Sequence, residues 1–161
     1  MPIWFPSTIM ASSGAAGYRY HRLYVSLLQT GTELIIQEAE FLIGGTDGVP
    51  LLTSNTSASP IVVSASAIFS GTYDAWKAFD NTTSGTGWDT NSGAIPAWLK
   101  VDWGSGVINA LSGFSMTPLG NSYAPKDFKI QGSNDDSAWT DLYTKTGEAS
   151  WGSTEKRTYS F

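Results

Sequence analysis

Tyr73-Asp74-Ala75-Trp76-Lys77-Ala78-Phe79-Asp80-Asn81-Thr82-Thr83-Ser84-Gly85-Thr86-Gly87-Trp88 leads on to Ala97-Trp98-Leu99-Lys100-Val101-Asp102-Trp103-Gly104. Residues 74–79 hint at a helical turn, and they are alone in the chain in doing so. Residues 80–87 are rich in Asn, Thr, Ser and Gly, which mark a loop. Residues 98–103 alternate apolar and polar as a half-buried strand does. Working outward, the same alternation predicts strands at 18–28, 35–42, 107–116, 127–132, 139–143 and 156–161, with a weaker one around 61–63. In 18–28 one side would carry Arg19, His21, Leu23, Val25 and Leu27, and the other Tyr18, Tyr20, Arg22, Tyr24, Ser26 and Leu28. Both sides are partly apolar, as a strand in a sandwich requires.

The composition agrees with one β-rich domain. A chain of 161 residues can bury about 70% of its unfolded surface, enough for a core without covalent staples. Seventeen glycines, seven prolines and 13% aromatics suit short strands joined by tight turns. With no cysteine, neither disulfides nor thiolate metal sites contribute. The formal charge of −5 would repel a phosphate backbone, so no nucleic-acid partner is expected. Met1-Pro2-Ile3-Trp4-Phe5-Pro6-Ser7-Thr8-Ile9-Met10 lacks the cationic start and continuous apolar run of a signal peptide, and no stretch reaches the ~20 apolar residues of a membrane span. These features lead us to expect a protein made in the host cytoplasm.

The block 73–103 resembles the signature of the discoidin family, also called coagulation factor type C or galactose-binding-like domains, whose members bind ligands. A second segment, Phe128-Lys129-Ile130-Gln131-Gly132-Ser133-Asn134-Asp135-Asp136 with Trp139-Thr140-Asp141-Leu142, resembles the family's next block. Tyr18-Arg19-Tyr20-His21-Arg22-Leu23-Tyr24-Val25 and Ile35-Ile36-Gln37-Glu38-Ala39-Glu40-Phe41 are similar to the pair of strands that closes such a domain, yet here they open the chain. The resemblance therefore implies an all-β fold, a discoidin-like jelly-roll β-sandwich, circularly permuted. The sandwich would span residues 18–161, behind an N-terminal arm of residues 1–17. The join between the old ends would fall at Gly44-Gly45-Thr46-Asp47-Gly48-Val49-Pro50, rich in turn formers. Restoring the family's order would set the 18–28 strand beside the terminal strand 156–161, either within one chain or, by a swap of residues 18–43, in a neighbour.

No catalytic set emerges, and no enzyme is expected. A hydrolase needs a nucleophile with a positioned base, or paired carboxylates in a cleft. His21 is the only histidine and lies in a strand pattern, where a structural role is expected. Asp135 and Asp136 fall at a hairpin turn, where carboxylates cap backbone donors. Resemblance to the carbohydrate-binding branch implies a calcium site in the loop 78–88, with Asp80 and Thr86 matching the motif and Glu38 matching the acidic residue of the closing strand. Asn81 stands where that branch has glycine, and the alternative is that Asp80 caps the preceding turn. The branch's sugar site would draw on loop residues Asn55, Asn91, Asn121 and Tyr123. The histidine and arginine of galactose binders have no match, so galactose-type sugars should bind weakly or not at all. Trp88, Trp98, Trp103 and Trp139 occupy motif positions that pack in the core.

Residues 1–17 fall outside the strand pattern. Pro2, Trp4, Phe5 and Pro6, followed by Ala11-Ser12-Ser13-Gly14-Ala15-Ala16-Gly17, read as an apolar arm on a tether, folded against its own sandwich or inserted into a partner through Trp4 and Phe5. The combined blocks look especially like discoidin-type segments of tailed-phage virion proteins. The expectation is a structural or attachment protein of a virion, in the capsid, tail or fibre, with other virion proteins as partners and cell-surface glycans as ligands; the alternative is a free carbohydrate-binding module or lectin.

Overall fold

The computed structural model describes residues 16–85 and 87–161. Trp4, Phe5 and Thr86, named above, lie outside the described residues. Among the described residues ten strands form two antiparallel sheets: β1 (Tyr20–Leu28), β2 (Ile35–Ile43), β3 (Thr46–Asp47), β4 (Val62–Ala65), β5 (Trp88–Asp89), β6 (Ala97–Asp102), β7 (Gly113–Pro118), β8 (Pro125–Ser133), β9 (Thr140–Lys145) and β10 (Arg157–Ser160). One sheet has the order β4-β6-β1-β8-β9, and the other β10-β7-β2-β3 with β5 paired to β2. This is the all-β, discoidin-like sandwich expected from the sequence. The helical hint at 74–79 is a 3-10 turn, Ala75–Ala78, capped by the Asp74 carboxylate accepting from Ala75 N–H at 2.7 Å, but it is not alone: Gly71–Tyr73 and Asn121–Tyr123 form two more.

The alternation decides what lies between the sheets. Leu23, Val25, Leu99, Val101 and Ile130 point inward from the first sheet, and Ile36, Phe41, Phe114 and Met116 from the second, all at 1% exposure or less. Phe41 makes an edge contact with Phe114 at 4.9 Å and stacks on Phe79 at 6.3 Å, tying the second sheet to the turn that precedes the 80–87 loop. His21 is buried with them. Its Nδ1 accepts from Trp103 Nε1 at 2.7 Å, its Nε2 has no partner among the described residues, and burial lowers its pKa to about 4. The imidazole is therefore neutral and structural.

Several sequence expectations change. The 18–28 strand does not pair with the terminal strand: β1 lies between β6 and β8, whereas β10 pairs with β7 in the opposite sheet. Every inward residue of β1 from His21 to Val25 is fully buried, and its backbone is paired on both sides, whereas β10 is a short edge strand that buries only Tyr159. Register shifts near Val25–Leu28 turn Leu27 out to 46% exposure and bring Leu28 in. The strand expected at 107–116 starts only at Gly113, since the chain must cross between sheets and first turns at Gly104 and Gly106, both in the left-handed region. Trp88 and Trp103 are core residues, but Trp98 and Trp139 are half-buried on the outer side of the first sheet. Trp98 faces outward because its neighbours Ala97 and Leu99 take the inward positions.

Gly44 and Gly45, with φ of 59° and 83°, form the two-residue turn from β2 to β3. Both positions need positive φ, which accounts for glycine at each.

Candidate functional site

Three connections meet at one end of the sandwich: residues 29–34 between β1 and β2, 90–96 between β5 and β6, and 119–124 between β7 and β8. Gly93 N–H donates to the Thr32 carbonyl at 2.8 Å, and the Ser92 and Thr32 hydroxyls are bonded at 2.9 Å. Thr90 N–H donates to the Leu34 carbonyl, and Leu34 N–H to the Thr90 hydroxyl, both at 3.0 Å. On the other flank Gln29 N–H donates to the Ala124 carbonyl at 3.1 Å. Gly31 lies so close to Ser122 that a Cβ would stand 2.0 Å from the Ser122 carbonyl oxygen, so only glycine lets these two loops touch.

The loops enclose a depression of about 360 Å³ lined by residues 27–32 with Gly93 and Ile95. The wall holds no charged or aromatic side chain; it offers threonine hydroxyls, backbone groups, and the apolar surface of Leu27 and Ile95. It suits a neutral polar ligand held by a few hydrogen bonds.

Asn91 is exposed beside the Thr32 contact, and its carbonyl accepts from Ala94 N–H. Asn121 turns its side-chain oxygen to Trp151 N–H at 3.1 Å, holding the 146–156 connection. Tyr123 is half-buried on the neighbouring loop. None of the three lines the depression. Asn55 is elsewhere, its side-chain oxygen accepting from Trp76 N–H at 3.0 Å and its carbonyl from Val63 N–H. The lining run Gln29-Thr30-Gly31-Thr32 was legible as a loop between two strand patterns, but it carries no charged or aromatic residue that would mark it as a site.

A second cluster lies beside β2. A register shift between Ile36 and Glu38 breaks the alternation, and Gln37 and Glu38 both bond to the 80–87 loop. Thr82 N–H is shared by Glu38 Oε1 at 2.8 Å and Asp80 Oδ1 at 3.3 Å, so the two carboxylates converge on one donor. Asp80 Oδ2 also meets Lys77 Nζ at 3.3 Å. Gln37 Nε2 donates to the Thr83 carbonyl at 2.7 Å, while its buried Oε1 has no partner among the described residues. Burial pushes the Glu38 carboxyl up to about 8, with Asp80, Asp47 and Glu40 adding to the rise. The donors are hard oxygens of the type calcium takes. Among the described residues no three acidic, histidine or cysteine side chains converge, so carbonyl oxygens would have to complete any cation's shell.

At the opposite end, Asp135 Oδ1 accepts from Ser137 and Ala138 N–H at 2.9 and 2.8 Å. These bonds hold its pKa down to about 2 and account for its role in the β8–β9 turn.

Residues 77–161, over half of the chain, match the family model described as NedA-like, galactose-binding domain. The chain belongs to this discoidin-like, coagulation factor type C family, which is of the binding, non-catalytic type. No curated protein and no solved structure matches the chain.

Proposed function

We propose that the protein is a non-catalytic attachment module that meets glycans with the loop end of its sandwich and is held in a larger assembly through residues 1–17. The observation that carries this reading is that the loops and residue 16, where the described residues begin, lie at opposite ends of the sandwich. β1 runs from Tyr20, beside Asp102 and Ser133, to Leu28, beside Pro125, where the loops and their depression begin. Ala16 and Tyr18 lie at the far end, bordering a hollow of about 340 Å³ with Leu111, Leu142 and Phe161. Ligand and attachment point would then not compete for surface. The assembly supported by the sequence resemblance is a tailed-phage virion, with the module in the capsid, tail or fibre. Many copies on a particle raise avidity without new contacts, so a weak individual site suffices.

The circular permutation belongs to the same proposal. It is supported by the central positions of β1 and β2 in their sheets, although they precede the segment that matches the family model.

The experiment has two arms. Deleting residues 1–17 should leave a folded sandwich that no longer joins particles; normal occupancy by the truncated protein would place the anchor on the sandwich. Galactose should bind the full chain no more tightly than about 1 mM, since the depression lacks an aromatic platform and a charged group. Tighter binding that disappears on Tyr123→Ala, in a protein absent from particles, would establish the free lectin instead.

Calcium is the proposed cofactor, with Glu38, Asp80 and Thr86 as side-chain ligands joining β2 to the 80–87 loop. Its contribution there is structural, since it would favour the ionised form of Glu38 that burial otherwise disfavours. At a calcium concentration ~100 times the dissociation constant, native-state binding adds about 2.7 kcal/mol, a rise of roughly 5–10 °C in Tm for a domain of this size. Glu38→Gln should abolish the rise. A Tm unmoved by calcium or chelator would remove the site.

A further inference from the structure

The outer side of the first sheet carries side chains in two cross-strand rows. Trp98, Tyr24 and Lys129 form one row across β6, β1 and β8, and Lys100, Arg22 and Gln131 form the next. Directly paired residues project to the same side of a sheet, so these side chains share the outer surface. Its cations are bound to carboxylates: Lys100 to Asp136 at 2.6 Å, Lys129 to Asp141 at 2.6 Å, and Arg19 to Asp102 through two bonds of 2.9 Å. Arg22 differs. Its Nε donates to Gln131 Oε1 at 2.7 Å, and Gln131 is fixed in turn by Nε2 donating to Asp141 Oδ1 at 2.6 Å. The guanidinium carbon lies 4.0 Å from the Trp139 ring centroid and 5.2 Å from that of Tyr24. Neither terminal nitrogen has an acceptor among the described residues.

We propose that this surface is a second ligand site, in which the free edge of the Arg22 guanidinium receives the carboxylate of an acidic sugar while Tyr24 and Trp139 flank the sugar ring. The guanidinium fork matches a carboxylate with two parallel hydrogen bonds. Arg22 is already held by Gln131 and Trp139, so little side-chain freedom remains to be lost on binding. Burial lowers its pKa, the mark of a cation partly removed from water without an adjacent counterion. Asp136 and Asp141 exert a longer-range pull, but each is engaged by a lysine. A sugar fits better than an acidic peptide. Extended peptides are commonly captured by adding a strand at a sheet edge, and β1 is central, paired on both sides by β6 and β8. The site is separate from the loop depression and does not depend on it.

The test is calorimetry on the full chain at low salt, with tetragalacturonate and its methyl ester as probes. The two share a ring and differ in the carboxylate. The free acid should bind, and the ester should bind about tenfold or more weakly, as expected for losing charge-assisted hydrogen bonds. Arg22→Gln should reduce the acid to the level of the ester, whereas Ser105→Ala, an exposed turn residue outside both sites, should leave both unchanged. If Arg22→Gln does not fold, Arg22→Lys keeps the charge without the fork and should show the same loss. The proposal is overturned by any of four results: no binding of the acid, equal binding of acid and ester, insensitivity to the Arg22 variant, or tighter binding of hexaglutamate than of tetragalacturonate. Failure here leaves the loop-end reading standing, because that reading is judged by neutral sugar and Tyr123→Ala.

Discussion

Replacing Trp88 by alanine is expected to lower the melting temperature by roughly 10–15 °C, the largest effect of any single substitution proposed for this protein. Trp88 is completely buried, and its indole Nε1 donates to the Ala67 carbonyl at 2.9 Å. Truncating a buried tryptophan costs about 3–5 kcal/mol through lost transfer energy and the cavity left behind. The orphaned Ala67 carbonyl adds to that cost. The consequence reaches the candidate metal cluster, because Trp88 pairs with Ile36 of β2 and closes the loop that carries Asp80. Gly87 beside it packs so tightly on β2 that a Cβ would come 2.3 Å from the Ile36 carbonyl oxygen. Trp88→Ala should therefore lose any calcium response as well as stability. Thermal unfolding with and without calcium reads both effects. A fall of under about 3 °C would mean that the core is not organised around this residue.

The second large effect concerns His21. The imidazole should titrate near pH 4, far below the ordinary 6.5, because burial disfavours its charged form. As the chain's only histidine, it gives an unambiguous proton resonance to follow. The unfolded chain takes up a proton first as pH falls through 6.5, whereas the folded protein resists until about 4. Stability contributed by a neutral His21 is thus complete above 6.5 and drains away down to about 4, by roughly 3 kcal/mol in all. Glu38, pushed up to about 8, and Asp47 and Asp89, each pushed up to about 6, act in the opposite sense. These three favour the folded state as pH falls toward the unfolded carboxylate range. The bulk unfolding curve therefore mixes opposing contributions, and the resonance itself is the decisive readout. A titration midpoint above 6 would show that the imidazole reaches water and that the Trp103 bond does not seal it.

Much of the architecture was legible because it is written locally. Alternation in 98–103 announced β6, glycines at 44 and 45 announced a turn, and a lone histidine within a strand pattern announced a structural side chain. Asp135 announced a capped turn by residue type alone, whereas the Asp136 carboxylate caps no backbone donor and pairs with Lys100. Each of these features depends on neighbours within a few positions, through backbone preferences that a chain carries wherever it folds.

The partners of those elements depend on packing between distant segments. β1 had the alternation of a strand, but its place between β6 and β8 is set by register with distant strands, Leu23 pairing with Leu99 on one side and Ile130 on the other. Alternation gave Trp98 a side without saying which side was the core; burial of Leu99 and Val101 settled it. Glu38 and Asp80 meet because a bulge in β2 turns two consecutive side chains toward one loop, a break in periodicity that no periodic pattern foretells. Arg22 meets Gln131 across 109 positions, and His21 meets Trp103 across 82. Strands form from local preference, but sites form where the burial of apolar surface brings remote strands into register.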